Sequence, residues 1–527
     1  MRWQIQPFLC KFIPSLYSSR MGKPRKMHLS GDTPRRVSRI RLKEETMSLD
    51  RRSFIRLAAG ATAGAALTGT LVGCGSETVQ TKEHVLGWTD LNFEDECDIL
   101  VVGAGPSGLF ASYGAVEKGK KCICIEKQSG YAGDAMNAAN DFMMAYSNVC
   151  ADVWPEQAQT FEQRKEKLAY YYPDPDVYAI QVHYAEGAVD AFDLMYYKWG
   201  CEYNLDMNYG PYKGMFYPKD GIGTGGENWG RVFNNVKAAG VDFRFNTKAV
   251  YPIMDEKNEL VGMRCYSSDN ERWMDIKAKT IILCTGGYAS NQEMIAKYYP
   301  EWVNIGCATT QAMGDGIVMG QSLGAALSNG FAAKTNLNAD TEVIFLAQMF
   351  GRSFSILPNG HRFYNENYVH NSASGCMNAG FWEWYAIFDD EIMNGPNHTQ
   401  VARGGDRIRK GNTIEELAAS MDIPVEVLQT GFDEYNAICD AGVDEAFGRT
   451  LHLKKLEPPY YAFFNHPLRY KTAGGLAVNT DSQVVDENGN VIPHLFACGC
   501  TGGTTDIPPA CGSGLYCGRR AAELLDA

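Results

Sequence analysis

The pattern of hydrophobic and polar positions predicts regular structure most clearly just past residue 95. A short apolar run at 97–102 predicts a buried strand, and a second run at 121–125 predicts another. Between them, residues 109–118 have the apolar spacing of a helix, and Gly119 ends it. The order of strand, helix and strand predicts a βαβ unit with parallel strands.

A glycine-rich turn joins the first predicted strand to the helix. Gly103 allows a tight turn, Gly105 lets the backbone approach a pyrophosphate, and Gly108 lets helix and strand pack closely. The amino terminus of the helix favours negative charge, and Glu126 is placed to accept hydrogen bonds from a ribose. The turn therefore predicts a dinucleotide site and leaves FAD and NAD both open. The glycine-rich stretch 221–226 follows no strand closely and predicts no second site.

The amino-terminal region predicts export. Arg51 and Arg52 precede an apolar segment of small residues, 57–72, which is too short and too rich in Gly and Ala to favour a membrane span. This pattern is typical of a twin-arginine signal, which carries a protein already folded around its cofactor. Residues 71–74 are similar to a lipobox, so Cys74 is either the lipidated first residue of the mature protein or a chance cysteine.

Charge is unevenly distributed along the 527 residues. The formal net charge is −13, although residues 1–73 hold fourteen Lys or Arg against four Asp or Glu, which leaves about −23 for the chain from Cys74 onward. An acidic body argues against a nucleic-acid partner. The basic stretch before Met47 is interpreted as an upstream extension, with Met47 as the initiator. The length favours at least two domains.

Sixteen cysteines are present, without a CxxC pair or a CxxCH haem-attachment motif. Two explanations remain for Cys498, Cys500, Cys511 and Cys517: a metal or iron–sulfur site, or buried and flavin-adjacent thiols. The spacings favour thiols, and the sequence predicts no bound metal.

Several motifs in a fixed order resemble the flavoprotein subunits of fumarate reductase and their urocanate reductase and 3-ketosteroid dehydrogenase relatives. The similarity runs from about residue 98 to the carboxyl terminus. It is carried by 126–135, by 285–287, by 314–316 and by the block 496–503 with 512–514. The resemblance implies FAD as the cofactor. The residues that it implies for FAD binding are Gly103, Gly105, Ser107, Gly108, Glu126, Lys127, Gly133, Asp134, Val250, Thr285, Gly286, Gly287, Asp315, Gly499, Cys500, Gly512, Ser513, Gly514 and Leu515.

The resemblance also implies an α/β fold class: a Rossmann-like FAD-binding domain in two sequence pieces with an inserted α+β capping domain. The expected order is an extension and signal at 1–73, a linker at 74–92, FAD-binding pieces at 93–327 and 470–527, and a capping domain at 328–469. Strand-like residues 341–364 and the helical spacing of 415–437 are consistent with this cap. The aromatic stretch 381–388 is interpreted as cap core in preference to a substrate platform.

The family's substrate-binding cations are largely replaced in this chain. In fumarate reductases, arginines and histidines hold two carboxylates. The block 362–370 resembles the segment that ends in the proton-donating arginine, but the residue there is His370. Gln348 and Gly351 replace a glutamate and an arginine, and Ala510 replaces the second carboxylate-binding arginine. Burying a dicarboxylate without these cations would cost about several kcal/mol, so fumarate is not the expected substrate.

Two residues are catalytic candidates. His370 either donates the proton, because imidazolium titrates near neutrality, or is an ordinary cap histidine. Tyr470 either polarises a substrate carbonyl, as tyrosines do in the ketosteroid branch, or is a core aromatic with a hydrogen-bonded hydroxyl. Tyr470 or Lys471 occupies the place of the family's substrate-binding histidine. Cys500 stands where the family has a glutamate, which leaves its flavin contact open.

Together these features predict an exported FAD-dependent oxidoreductase at the outer face of the cytoplasmic membrane. The expected reaction is reduction of an activated C=C bond in a small-molecule enone, enoate or steroid-like substrate. Electrons are expected from a separate donor, a cytochrome or a quinol-linked membrane protein. The alternatives are a 3-ketosteroid-type dehydrogenase and a non-catalytic flavin electron-transfer lipoprotein. The long cap argues against the non-catalytic electron-transfer alternative, because an electron carrier benefits from an exposed flavin edge.

Overall fold

The computed structural model describes residues 91–136, 138, 140–206, 213–221, 224–309, 311–328, 335–339, 348, 351–395, 398–402, 404–472, 474–504 and 506–527. All of them fall in the second of two units into which the chain divides, Ile55–Ala527. The predicted twin-arginine signal, Cys74 and nearly all of the predicted linker lie outside the described residues.

The described part of the chain is a mixed α/β fold, as predicted. Its strands are β1 Phe93–Val102, β2 Cys122–Ile125, β3 Phe142–Met143, β4 Met215–Phe216, β5 Asp242–Arg244, β6 Thr247–Met254, β7 Leu260–Ser267, β8 Arg272–Leu283, β9 Gly306–Cys307, β10 Thr335–Ala339, β11 Ser353–Ile356, β12 Trp384–Phe388, β13 Arg409–Gly411, β14 Tyr460–Asn465, β15 Pro467–Thr472, β16 Gln483–Val485 and β17 Val491–Ala497.

The helices pack around these strands. They are α1 Pro106–Glu117, α2 Asn148–Val153, α3 Phe161–Tyr171, α4 Pro175–Asp193, α5 Gly226–Ala238, α6 Gln292–Tyr298, α7 Asp315–Ser322, α8 Ser372–Asn378, α9 Asp390–Met393, α10 His398–Ala402, α11 Ile414–Met421, α12 Val425–Ala441 and α13 Ile507–Leu524. Within the described ranges, none is both long and apolar enough to cross a membrane.

The largest sheet has the strand order β16-β17-β8-β1-β2-β5, with the β6–β7 pair attached through β7 to β8. Strands β17, β8, β1, β2 and β5 are parallel, and Ile99, Leu100 and Val101 in β1 are fully buried. Burial on both faces explains their continuous apolar run, as expected for a parallel sheet covered by helices. The βαβ unit was predicted correctly, although α1 begins at Pro106, where proline suits the first helical turn.

A second sheet, β11-β12-β14-β13, packs with helices α11 and α12 and forms what is called here the cap layer. The predicted helical segment 415–437 is two helices, because Asp422 adopts a left-handed φ of +57° and Pro424 follows. In β12, Trp384 and Phe388 are buried. The interpretation of 381–388 as cap core is therefore confirmed for this strand.

A buried ion network fixes the cap segment that resembles the family's proton-donor block. The Arg362 guanidinium donates to Glu366 Oε1 at 3.0 Å and to Asp444 Oδ2 at 2.9 Å. Arg449 lies 3.3 Å from Glu366 Oε2, and its side chain is fully buried. Each buried charge thus has an opposite partner, which is the condition for keeping such groups inside a protein. The motif has a structural role in the cap layer.

A third sheet has three strands in the order β10-β15-β9. Strands β9 and β10 precede the strands of the cap layer in sequence, and β15 follows them. Strand β15 pairs in parallel with β9 and in antiparallel with β10. Because β15 ends at Thr472, it brings Lys471 and Thr472 to the edge of the main cavity.

Candidate active site

The main cavity lies at the carboxyl ends of the parallel strands β1, β2 and β8. It has a volume of about 560 Å³ and is lined there by Val102, Ile125 and Cys284. This volume is within the range of about 300–1,000 Å³ that is usual for cofactor and ligand sites. The carboxyl edge of a parallel sheet is also where open α/β folds bind their ligands.

The glycine-rich turn has the geometry that its spacing predicts. Gly103 has a φ of +105°, and a Cβ on Gly108 would overlap the Gly103 carbonyl oxygen. Gly105 differs, because nothing lies within 4 Å of the place where its Cβ would be, and it lines the cavity. The first and third glycines are therefore needed for the turn and for helix packing, while the second leaves open room for a ligand.

Glu126 is held in place at the end of β2. Its Oε2 accepts a hydrogen bond from the Ala104 amide at 2.9 Å, and its Oε1 accepts one from the Gln128 amide at 2.9 Å. The residue is 8% exposed and lines the cavity together with Lys248 and Ala249. A carboxylate fixed in this way is suited to accept hydrogen bonds from a ribose.

The predicted phosphate loop and the flavin turns meet around the same cavity. Lys127 Nζ lies 2.8 Å from Asp315 Oδ2, and the Thr285 hydroxyl accepts a hydrogen bond from the Gly316 amide at 2.8 Å. Burial raises the pKa of Asp134 above its ordinary value. The predicted FAD residues that line the cavity are Gly103, Gly105, Ser107, Glu126, Lys127, Gly133, Asp134, Thr285, Gly286, Gly287, Asp315 and Cys500.

The remaining predicted FAD residues lie outside this lining and serve the packing around it. A Cβ on Gly512 would overlap the Tyr184 carbonyl oxygen of α4, and a Cβ on Gly514 would overlap the Ser107 carbonyl oxygen of α1. The Ser513 hydroxyl accepts a hydrogen bond from the Gly499 amide at 3.1 Å. The other residues in this group are Gly108, Val250 and Leu515. Next to Val250, Ala249 and Lys248 line the cavity.

These features fit FAD. The open space at Gly105 and the amino terminus of α1 form an anion-binding end, and the fixed ribose acceptor Glu126 lies next to it. A second set of backbone turns, at Gly286 and Gly133, continues the same cavity. One elongated ligand with a pyrophosphate and two ring systems can therefore occupy it.

A charged pair lies at another part of the cavity wall. Lys471 Nζ forms an ion pair with Asp506 Oδ1, and both residues line the cavity with Asp141. Burial lowers the pKa of Lys471, but the Asp506 carboxylate more than offsets this, so its pKa is raised overall. Burial and the nearby Asp506 raise the pKa of Asp141. Lys471 is therefore an ammonium group at neutral pH, with its charge balanced by Asp506.

Asp506 also has an unusual backbone conformation. Its φ is +71° at the residue that precedes α13. Non-glycine residues seldom adopt positive φ, and such conformations cluster at functional sites. The strain is localised beside Lys471, on the cavity wall.

The catalytic candidates are placed only in part. His370 is in the 3₁₀ helix Glu366–Asn371, and Tyr470 is in β15 beside Lys471. Their side chains lie outside the described part of the chain, and their roles stay predictions. Ala510, which replaces the second carboxylate arginine, lines the cavity. Gln348 is buried and donates a hydrogen bond to the Ser355 hydroxyl at 3.2 Å in the cap layer.

Sequence reasoning missed a group of cavity residues at 143–215. Met143, Tyr146, Arg164 and Met215 line the cavity but belong to no recognisable motif. They lie on separate elements that come together only in the folded chain, so no local spacing could have identified them.

The cysteines near the cavity are free thiols, of which Cys284 and Cys498 are buried and Cys500 is partly buried. The Sγ atoms of Cys284 and Cys498 lie 3.2 Å apart, and burial raises the pKa of Cys500 to about 11. Among the residues that the structure describes, no cluster of His, Cys, Asp and Glu could hold a metal ion. Of the two explanations for these cysteines, the geometry favours thiols.

Comparison with known proteins identifies a family model and relatives that agree with FAD binding. The family model described as FAD binding domain matches residues 98–515. A probable fumarate reductase from Shewanella frigidimarina is 28% identical over 425 residues, covering 77% of this chain and 70% of that protein. A urocanate reductase from Eggerthella lenta is 29% identical over 440 residues, covering 77% and 69%.

A solved structure supports the fold. The open conformation of a flavocytochrome c3 fumarate reductase superposes with a TM-score of 0.66 at 24% identity, covering 82% of this chain and 79% of that chain.

Proposed function

Because the chain belongs to the FAD binding domain family, we propose that it is an FAD-dependent reductase of an activated C=C bond in an enone, enoate or steroid-like substrate. FAD is the cofactor, and the chain is an oxidoreductase of the CH–CH class. The names of its relatives, fumarate reductase and urocanate reductase, both denote reduction of a conjugated C=C bond. The choice of substrate within this class is the proposal.

One observation carries the substrate proposal: the wall of the cavity pairs Lys471 with Asp506 and has Ala510 where a second cation would be needed. The Lys471 charge is already neutralised, so it offers little to a second carboxylate. A dicarboxylate would bury one charge without a partner, at a cost of about 3–5 kcal/mol. A neutral substrate avoids this cost, and so does a monocarboxylate that pairs with another cation of this cavity, Arg164.

The residues of the chain can prepare such a substrate for reduction. Reduced FAD, when bound, would supply the hydride to one carbon of the C=C bond, with its electrons restored by the separate donor. The Lys471 ammonium donates a hydrogen bond to the substrate carbonyl, which draws electron density away from the C=C bond. Asp506 keeps the proton on Lys471 Nζ, and His370 or Tyr470 supplies the proton to carbon.

The amino-terminal sequence supports a cellular location for this activity. The twin arginines Arg51 and Arg52 and the lipobox-like Cys74 support export as a folded flavoprotein held at the outer face of the membrane. There, a separate electron donor, a cytochrome or a quinol-linked protein, would reduce the flavin.

Turnover in both directions tests the proposal. The purified holoenzyme is assayed with reduced viologen and a panel of enones and monoenoates, and then with 3-ketosteroids and an artificial oxidant. We expect turnover in the reductive assay. Turnover confined to the oxidative assay would instead establish the ketosteroid dehydrogenase alternative, and a flavin that cycles without any substrate would establish an electron carrier.

A further inference from the structure

Arg164 is a cavity cation that the FAD-binding motifs do not include. It lies in the first turns of α3, where the Thr160 side chain accepts a hydrogen bond from the Gln163 amide and the Gln163 side chain accepts one from the Thr160 amide. This capping box fixes the start of the helix and so the direction of the residues that follow. Arg164 lines the same cavity as Lys471.

The guanidinium of Arg164 has no anionic partner within the described residues. Its Nε atom is buried without a hydrogen bond, while the rest of the guanidinium contacts Tyr146: Cζ lies 4.9 Å from the centre of the ring, and the Tyr146 side chain is hydrogen-bonded to Arg164. The neighbouring Lys165 is paired with Glu162 at 2.6 Å. The cavity carboxylate Asp506 is engaged by Lys471.

An unpaired buried N–H in a binding cavity indicates a missing acceptor. Buried polar atoms are nearly always hydrogen-bonded, and leaving one without a partner is unfavourable. Arginine stays charged at every working pH, and its planar fork matches a carboxylate in bidentate geometry. A carboxylate is therefore the group that best satisfies Arg164.

The surroundings of Arg164 define the rest of the ligand. Met143, Tyr146 and Met215 line the adjacent wall, and Tyr146 and Met215 are largely buried. Thioether and aromatic side chains of this kind accommodate an apolar body of variable shape. The FAD phosphates have their own site at Gly105 and the amino terminus of α1, on other elements.

We propose that Arg164 binds the single carboxylate of the substrate, whose apolar body lies against Met143, Tyr146 and Met215. This inference rests on the proposed C=C reductase activity and narrows its substrates to monocarboxylate enoates. Arg164 is a specificity-determining residue, separate from the Lys471–Asp506 pair.

The test compares acids with their esters in the holoenzyme. Enoates from acrylate to cinnamate, each with its methyl ester, are titrated into the oxidised protein, and binding is measured from the change in the flavin spectrum. The variant is Arg164→Gln, which keeps the length and removes the charge. The matched control is Lys165→Gln on the same helix, whose side chain is paired with Glu162.

We expect at least one acid to bind wild type more tightly than its ester. Arg164→Gln should lower the affinity for that acid roughly tenfold or more, which is the scale of a charge-assisted hydrogen bond. The affinity for the ester should change less than about twofold. Lys165→Gln should leave both unchanged, and all three proteins should retain FAD.

Three results would overturn the proposal: equal weakening of acid and ester, binding of no acid by wild type, or loss of FAD from Arg164→Gln. Reoxidation of the reduced flavin by the same compounds separates this inference from the proposed function. An acid that binds through Arg164 but is not reduced contradicts only the reductase activity. Reduction of esters alone, with no dependence on Arg164, contradicts only this inference.

Discussion

At the scale of single residues, the Lys471–Asp506 pair is the feature on which the chemistry depends. Asp141 and Asp506 share one part of the cavity wall with the Lys471 ammonium group, and the strained backbone of Asp506 holds its carboxylate beside Lys471. A lysine buried without this partner would lose its proton more easily, because burial disfavours the charged form. Asp506 therefore favours the charged form of Lys471, the group that is proposed to face the substrate.

The pair predicts a pH effect. Asp506 raises the pKa of Lys471 above the ordinary lysine value of about 10.4, so activity that needs the ammonium is present below that value and lost only as pH rises through the raised pKa. In Asp506→Asn, burial still lowers the pKa of Lys471 and only the weaker attraction of Asp141 and Cys500 opposes it, so the alkaline fall in turnover should move to lower pH. The measurement is kcat against pH for both proteins. Asp440→Asn, which removes an exposed partner of Lys455, is the control, and an alkaline limb that does not move in Asp506→Asn would refute the role of the pair.

His370 gives a second prediction at this scale. Replacing His370 by Ala should lower turnover by roughly tenfold or more with FAD retained, the low end of what a positioned proton donor contributes. His361→Ala is the matched control, because His361 is exposed on the same cap layer and paired with Glu434. An unchanged rate in His370→Ala would remove His370 from the mechanism.

Individual site residues were predictable from the sequence only where a motif contains them. Gly105 and Glu126 follow from the dinucleotide spacing, and both line the cavity. Arg164 and Met215 could not be found in this way, because they meet through packing of distant segments. Lys471 was one of two candidates for a single family position, and the structure places it on the cavity wall.

At the scale of elements, the glycines of the turn between β1 and α1 have distinct roles, one in cofactor binding and the other in stability. Gly105→Ala has open space for its Cβ, so the fold should keep its stability within about 1 kcal/mol while the methyl group obstructs the pyrophosphate. FAD affinity should then fall roughly tenfold or more. Gly108→Ala is the contrasting variant, because its Cβ would overlap the Gly103 carbonyl oxygen, and it should lose about 3 kcal/mol of stability.

Thermal unfolding of the apoproteins and titration with FAD separate the two effects. A Gly105→Ala protein with wild-type FAD affinity would mean that the cofactor does not approach the turn.

Elements were predicted well where one periodicity runs unbroken. The apolar runs of β1 and β2 gave the parallel sheet directly. The segment 415–437 has helical spacing throughout, but spacing alone does not register the left-handed residue Asp422 that divides it. The glycines at 512 and 514 match a cofactor motif, and their contact with FAD stays a prediction; in the structure their small size also allows the close approach of α13 to α4 and α1. Such contacts between elements distant in sequence leave no local pattern.

At the scale of the whole molecule, the basic amino terminus is expected to direct export, and the acidic remainder is expected to be the exported flavoprotein. Replacing Arg51 and Arg52 by Lys should retain the protein, loaded with FAD, in the cytoplasm, because the export route reads the arginine pair. Replacing Arg35 and Arg36 by Lys is the control, since this pair precedes the expected initiator Met47. Fractionation of cells that express each form gives the answer, and export of the Arg51/Arg52 variant at the wild-type level would contradict the signal.

We propose that reduced FAD, when bound in this cavity, would supply hydride to a conjugated alkene with at most one carboxylate. The most direct measurement is a single turnover: the holoenzyme is reduced without oxygen, mixed with one alkene, and followed by the return of the oxidised flavin spectrum. We predict that at least one enone or monoenoate reoxidises the flavin tenfold or more faster than fumarate does, since a lost charge partner is worth at least about 1.4 kcal/mol. Reoxidation by fumarate at an equal or greater rate, or by no alkene at all, would contradict the account.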